Sequence, residues 1–438
     1  MMRNLLSRAI TAVALLSTIV PLAQAENWPS WRGDGSGISK EKGLPTEWDR
    51  KTNVNWFTKL PERGNSTPVI WGDCIFLTQP ISADNRRTLM CFDKSTGKLL
   101  WNEGVVHTKP DKTHQTNPHC SPSPVTDGER VIVWFGSAGV VCYDMNGKEL
   151  WRRDLGDQDH VWGTGSSPVL FEDLCILNFG PGKNAFVVAL DKKTGETVWK
   201  VDIPAEAPAS NDQELSDKQR RDRDVLRGSW VTPLVIDAGG RKELIVHFPE
   251  KVVALDPSTG KELWTCDGIG PLAYASPMWG NGVLVAWGGY FGPSLAVRPG
   301  GSGDVTQTHR LWHKPKSKLR LGTGVIRDGH IYINDMKGIA QCIDLETGDE
   351  IWTKRLRDPK SQKGDSWSSF LMADGLVYAL NQAGTTFVLE ASPEYRLVAT
   401  NPLEEVTNST VVASDGSLFI RTHEGLWSIG EESRKSAK

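Results

Sequence analysis

One phrase recurs along this 438-residue chain. It reads A-L-D-P-S-T-G-K-E-L-W at 254–264, C-F-D-K-S-T-G-K-L-L-W at 91–101, A-L-D-K-K-T-G-E-T-V-W at 189–199 and C-I-D-L-E-T-G-D-E-I-W at 342–352, with a shorter C-Y-D-M-N-G-K-E-L-W at 142–151. Such repetition commits a chain to a repeat architecture, because each unit can bury its apolar face only against its neighbours. Val252 to Leu255 reads as a strand, Asp256 to Gly260 as a turn, and Lys261 to Trp264 as the returning strand. The short copy carries Asn146-Gly147, the strongest two-residue hairpin signal. Each copy is therefore a hairpin that ends on Trp.

Upstream of each hairpin lies a second recurring element: Ser-x-Pro-Val or a relative, a short gap, then an apolar strand. Examples start at Ser66, Ser121, Ser166, Val231, Ala275, Gly322 and Ser368. Each adds two strands, so the unit is four antiparallel strands, a to d. The closing tryptophans Trp101, Trp151, Trp199, Trp264, Trp312 and Trp352 recur at roughly the 40–50-residue period of propeller blades, with one longer interval before Trp264. The fifth unit diverges, its hairpin running from Ala296 through a Gly-rich turn to Trp312. The seventh has lost its Trp, and the last (409–429) supplies only three strands. The segment 53–60, with Trp56, supplies the missing d strand. The expected fold is thus all-β, an eight-bladed β-propeller of four-stranded antiparallel blades over 53–430. Its ring is closed by the N-terminal strand pairing with the last blade. Each Trp, including Trp56, is expected to fill the wedge between neighbouring blades, where burial of a large aromatic is worth roughly 2–3 kcal/mol.

The ends carry separate expectations. Arg3 and Arg8, the apolar run Ala9 to Val20 and the small-x-small Ala23-Gln24-Ala25 read as a cleavable signal peptide over 1–25 with a cut after Ala25. That makes the protein periplasmic or secreted. Residues 26–52 form a lead-in and 431–438 a disordered tail. No later stretch is apolar enough for a membrane helix. The formal charge of −3, more negative once the two leader arginines are gone, argues against nucleic acid as a partner. Seven cysteines at wide spacing form no disulfide framework. Cys91, Cys142 and Cys342 stand where Ala189 and Ala254 stand in other copies, so they read as small buried residues; a Cys74–Cys91 bridge is the lesser alternative.

The A-x-D-x-x-T-G-x-x-x-W phrase resembles the tryptophan-docking motif of pyrroloquinoline-quinone-like propeller repeats, over roughly 54–430. That superfamily includes quinoprotein alcohol dehydrogenases and the outer-membrane-protein assembly factor BamB. The opening W-P-S-W-R-G-D-G-S-G-I-S (28–39) resembles the lead-in of related secreted proteins; the Arg32-Gly33-Asp34 within it matches an adhesion tripeptide by letters only. The resemblance implies fold more firmly than chemistry. Its dehydrogenases typically stack the quinone on a vicinal Cys-Cys disulfide and bind calcium through Glu, Asn and Asp. This chain has neither a Cys-Cys pair nor a C-x-x-C-H haem motif.

In such a ring, ligands and partners meet the face built by the d–a loops. The loops read here place Arg63, Asn65, His119, Trp162, Arg227, Trp230, Tyr274, Arg320, Trp367 and Asn408 on that face. Aromatic planes beside arginines suit a flat, partly anionic ligand, a sugar or a partner peptide, although a plug for the channel mouth is the plainer reading. Asp365 is a weak candidate base. His107, His114, His119 and Cys120 share one loop without the spacing of a tight metal site, so no metal is expected. The charged insertion 205–226 reads as a solvated excursion before it reads as a lid. No Gly-x-Ser-x-Gly elbow and no phosphate-cradling loop is present. The reading favours a monomeric scaffold that binds a protein or cell-envelope component and needs no cofactor. A quinone- and calcium-dependent oxidoreductase is the alternative, and a carbohydrate-binding propeller the second.

Overall fold

The computed structural model describes residues 26–182, 184–203, 227–289, 292–358 and 364–430. The expectations for the signal peptide, the 205–226 insertion and the C-terminal tail lie outside the described residues. Eight antiparallel sheets follow one another around a ring. Blades 1 to 7 span 69–106, 125–153, 169–202, 234–270, 278–314, 325–355 and 371–402. Blade 8 takes three strands from 412–429 and its outer strand from Val54–Lys59, which pairs antiparallel with Gly425–Ile429. The chain's two ends thus share one sheet, and no blade is left with an open flank to the next.

The recurring phrase serves two joints rather than one. Trp101, Trp151, Trp199 and Trp312 each donate their indole N–H to a backbone carbonyl in the turn of the next blade: Met145, Lys192, Pro257 and Leu345, at 2.9–3.1 Å. Trp56 reaches Lys94 of blade 1 in the same way, and Trp352 reaches Ser392. The turn Gly of the receiving blade lies against that indole. A Cβ on Gly195 would stand 2.6 Å from Trp151, and one on Gly260 2.7 Å from Trp199. The turn Asp holds the turn in shape. Asp191 Oδ1 accepts from the N–H groups of Lys193 and Thr194, and the same pattern recurs at Asp256 and Asp344. So D-x-x-T-G receives the Trp of the blade before, while the phrase's own Trp docks on the blade after.

The small residue of the phrase is explained by register. Cys91, Cys142, Ala189, Ala254, Ala296 and Cys342 each lie directly across the ladder from the Trp of their own blade. Where blade 7 has Ala399 in place of Trp, its cross-strand partner is the larger Val388. Trp48 of the lead-in joins the buried cluster of Val388, Tyr378 and Phe419 there, stacked 6.4 Å from Tyr378. All seven cysteines are free thiols.

Trp264 departs from the pattern. Blade 5 lacks the D-x-x-T-G turn, and the Trp264 indole instead donates to Glu243 Oε2 of its own blade at 2.7 Å. The Gly-rich excursion of blade 5 covers it, pairing Gly303 with Trp264 and Asp304 with Thr265 in parallel.

A second ring lies at the inner edge, where each a strand begins. The backbone N–H of Thr67 donates to Ser123 Oγ, Ser123 to Ser167, Ser167 to Thr232, Thr232 to Ser276, Ser276 to Thr323, Thr323 to Ser369, Ser369 to Thr410, and Thr410 back to Thr67. The distances run from 2.8 to 3.2 Å, and all eight residues are buried. In five of them the next residue is Pro, which extends the preceding backbone and exposes no N–H on an edge strand.

The lead-in crosses one end of the channel. Trp28 bridges Ile70 of blade 1, Thr126 of blade 2 donates its N–H to the Pro29 carbonyl, and Ile38–Ser39 pairs with Leu371–Ala373 of blade 7. Arg32 is only 3% exposed and donates to the carbonyls of Thr323, Gly324, Phe370 and Ser36. Arg32-Gly33-Asp34 is therefore a structural clasp and offers no free arginine for adhesion.

Two glycines test the joint. Gly195 and Gly375 have φ of +75° and +76°, but only Gly195 faces an indole; nothing lies within 4 Å of a Cβ at Gly375. Gly195→Ala is expected to lower stability by about 1–3 kcal/mol more than Gly375→Ala, read as the difference in urea midpoints.

Candidate functional site

The eight-hydroxyl ring is the base of a cavity of about 250 Å³ that opens on the d–a face. Seven ring residues line it, all except Thr323. Above them stand Trp162, Trp230, Tyr274 and Trp367, and Trp31 of the lead-in closes the far side.

Local backbone sets the aromatics in place. Gly228–Ser229 pairs in parallel with Leu272–Ala273, and the N–H of Trp230 continues that ladder to the Ala273 carbonyl. The residues that follow, Trp230 and Tyr274, are thereby held side by side with ring centroids 5.2 Å apart. Trp230 donates its indole N–H to the Gly163 carbonyl, and Trp162 lies 5.7 Å from it. Asn117 clamps the Trp162 loop by donating to the carbonyls of Trp162 and Thr164. Asn65 and Asn408 both donate to the Thr116 carbonyl, at 2.9 and 3.2 Å, tying loops of blades 8 and 1 to the 107–120 loop. His114 Nδ1 sits 2.7 Å from Thr116 Oγ1.

Of the residues expected from sequence, the cavity gathers Asn65, Trp162, Trp230, Tyr274, Trp367 and Asn408. The charged ones are elsewhere. Arg63 is exposed on the surface and donates to the Gln115 carbonyl. Arg227 faces Glu250 at 3.8 Å. Arg320 is 2% exposed, bonded to Ser317 and Gln341 and stacked over Trp287, where burial holds its pKa at about 10. Asp365 pairs with Lys337 at 3.2 Å. His119 lies beside Arg87, Asp111 and His107 and does not line the cavity. Sequence reasoning passed over Trp31 and the hydroxyl ring; the loop 114–120, read on this face, brings His114, Thr116 and Asn117 to the cavity. The signal for the ring was present: the Ser or Thr of every S/T-P-V-like opener.

Among the described residues, the cavity lining contains no Asp, Glu, Lys or Arg, and its one imidazole is that of His114. No group of three or more His, Cys, Asp or Glu able to hold a metal occurs among the described residues. Calcium asks for six to eight oxygen ligands, carboxylates prominent among them, and a polycarboxylate quinone asks for cations. The lining does not fit that pair.

Comparison with known proteins bears on the whole chain. The family model described as outer membrane protein assembly factor BamB matches residues 48–226, 118–354 and 183–437. A polyvinylalcohol dehydrogenase of Sphingopyxis sp. is 24% identical over 83% of the chain, and the chain spans 55% of that relative's length. The outer membrane protein assembly factor BamB of Burkholderia pseudomallei is 21% identical over 95% of the chain and 98% of its own. The quinohemoprotein alcohol dehydrogenase of Comamonas testosteroni superposes with a TM-score of 0.66 at 12% identity, covering 93% of this chain and 81% of that one, a likeness of fold.

Burial pulls His423 down to about 4, with Arg421 and Arg63 adding to it, and pulls His119 to about 4 and His247 to about 3. The unfolded chain therefore binds more protons than the folded one between about pH 4 and pH 6.5, and stability falls as pH drops through that window. The melting temperature should decline from about pH 6.5 downward, and His423→Gln should decline less steeply.

Proposed function

We propose, because this chain belongs to the family of the outer membrane protein assembly factor BamB, that it is an extracytoplasmic binding scaffold, a monomer that presents its d–a face to a protein of the cell envelope. The observation that carries this reading is a cavity lined, among the described residues, without Asp, Glu, Lys or Arg. At the channel mouth, where a catalytic centre would sit, the described residues place hydroxyls, amides, aromatic rings and the His114 imidazole, with no Asp, Glu, Lys or Arg. Hydride abstraction from an alcohol needs a base within reach of its proton. Asp365, the one proposed from sequence, pairs with Lys337 outside the lining, and the one imidazole in the lining, His114, has its Nδ1 2.7 Å from Thr116 Oγ1. Two facts agree with the scaffold reading. The similarity to the Burkholderia BamB runs through nearly all of both chains. No helix among the described residues is long and apolar enough to cross a membrane.

The test places a photo-cross-linking residue at Arg63, exposed beside the cavity, and at Gly72 on an a–b turn, in the protein expressed in its native cell. The expected result is one discrete adduct with an envelope protein from position 63 and none from position 72. Alcohol oxidation that depends on pyrroloquinoline quinone and calcium, without an adduct, would sink the reading. In keeping with a described lining that offers no Asp, Glu, Lys or Arg, that quinone with calcium should leave the melting temperature unchanged. A ligand of the folded state at a hundredfold excess over its dissociation constant would add about 2.7 kcal/mol.

A further inference from the structure

The hydroxyl ring does more than join blades. Each ring oxygen accepts one backbone N–H, and none of the eight hydroxyls has a protein acceptor for its own hydrogen among the described residues. The residues are 1–8% exposed, so what meets their hydroxyls is what enters the cavity. Each hydroxyl that lines the cavity keeps one donor and one lone pair to offer. A buried donor left unmade costs about 1–3 kcal/mol, and seven of these residues meet at one cavity floor. The Trp367 Nε1 is likewise buried without an acceptor.

The lining decides which chemistry can meet that floor. Among the described residues, the lining offers a carboxylate or phosphate no Lys or Arg to replace the water it would give up, and offers an ammonium group no carboxylate. A purely apolar ligand would leave the hydroxyls unmade. An alcohol group is both donor and acceptor, as each ring hydroxyl is. Trp162, Trp230, Tyr274 and Trp367 supply flat apolar walls for the C–H faces of a ring. The volume of about 250 Å³ falls just below the ~300–1,000 Å³ of sites that enclose drug-sized ligands, which suits a small unit rather than a long chain buried whole.

We infer that the channel-mouth cavity binds a neutral polyhydroxylated ligand, a sugar ring seated on the hydroxyl belt and stacked on its aromatic walls. The ring is either a free sugar or the end of a glycan. The inference stands independently of the envelope-partner reading, because it concerns the interior of the cavity and is read without any partner.

The test titrates the mature full-length protein, by tryptophan fluorescence and calorimetry, with glucose, galactose, mannose, N-acetylglucosamine, cellobiose and cellotetraose. Glucuronate and glucosamine serve as charged counterparts. Two variants separate binding from folding. Thr232→Val and Thr323→Val each remove one ring acceptor and should lower the melting temperature alike, but only Thr232 lines the cavity. The expected result is millimolar or tighter binding of at least one neutral sugar, weakened roughly tenfold by Thr232→Val and little changed by Thr323→Val. Tighter binding of the tetrasaccharide than of its component sugars assigns the end of a glycan, and equal binding a free sugar; both support the inference. It is overturned if no neutral sugar binds at millimolar concentration, if a charged counterpart binds as tightly, or if the two variants weaken binding equally.

Discussion

The belt of eight N–H···O bonds around the channel is the interaction on which the rest of this structure depends. It uses one Ser or Thr from each blade and closes on itself when Thr410 meets Thr67. An open ring would leave a donor at one end and an acceptor at the other. Each bond contributes only about 1 kcal/mol, but together they fix how far apart the inner strands sit. The tryptophan joints do the same at the outer rim, filling the wedges that widen away from the axis. The strand Val54–Lys59, paired with Gly425–Ile429, makes the last blade whole. With inner belt, outer joints and shared sheet in place, the cavity is a consequence: its floor is the belt and its walls are the loops that lead into it.

Much of this was legible because repetition exposes register. The Trp of each phrase, the small residue across from it and the S/T-P-V opener can be aligned by eye, and they mark the blades in the structure. What remained hidden were the relations between copies. The phrase reads as one unit, yet its turn receives one Trp and its own Trp serves another joint. Trp264 looks like its siblings, and only the loss of the D-x-x-T-G turn in blade 5 sends its indole to Glu243. The opener was read as the start of a strand, because a hydroxyl's partner sits a whole blade away.

The aromatics of the cavity were legible in the sequence, and the arginines read onto the same face lie outside its lining. Trp162, Trp230, Tyr274 and Trp367 follow the d–a loops onto one face, where pairing such as that of Gly228–Ser229 with Leu272–Ala273 holds them. Arg227 stands close to Trp230 in sequence and Arg320 lies in a d–a loop of its own, but a long side chain reaches past its own position. Arg320 is drawn inward to Gln341 and Trp287, and Arg227 toward Glu250. Trp31 could not be placed at all, since nothing in the lead-in announces that it closes the channel. Of the ligands the face suggested in sequence, a flat and partly anionic one, a sugar or a partner peptide, the described lining without Lys or Arg least suits the first, and the fold alone would not have told the difference.

Hydrogen exchange at the backbone amides of Thr67, Ser123, Ser167, Thr232, Ser276, Thr323, Ser369 and Thr410 tests the closed belt most directly. The account predicts that all eight exchange slowly and together, with Thr410 and Thr67, at the seam between the last blade and the first, as protected as the rest. Exchange of the Thr410 amide at the rate of the surrounding loops, while the others stay protected, would show an open ring and contradict it.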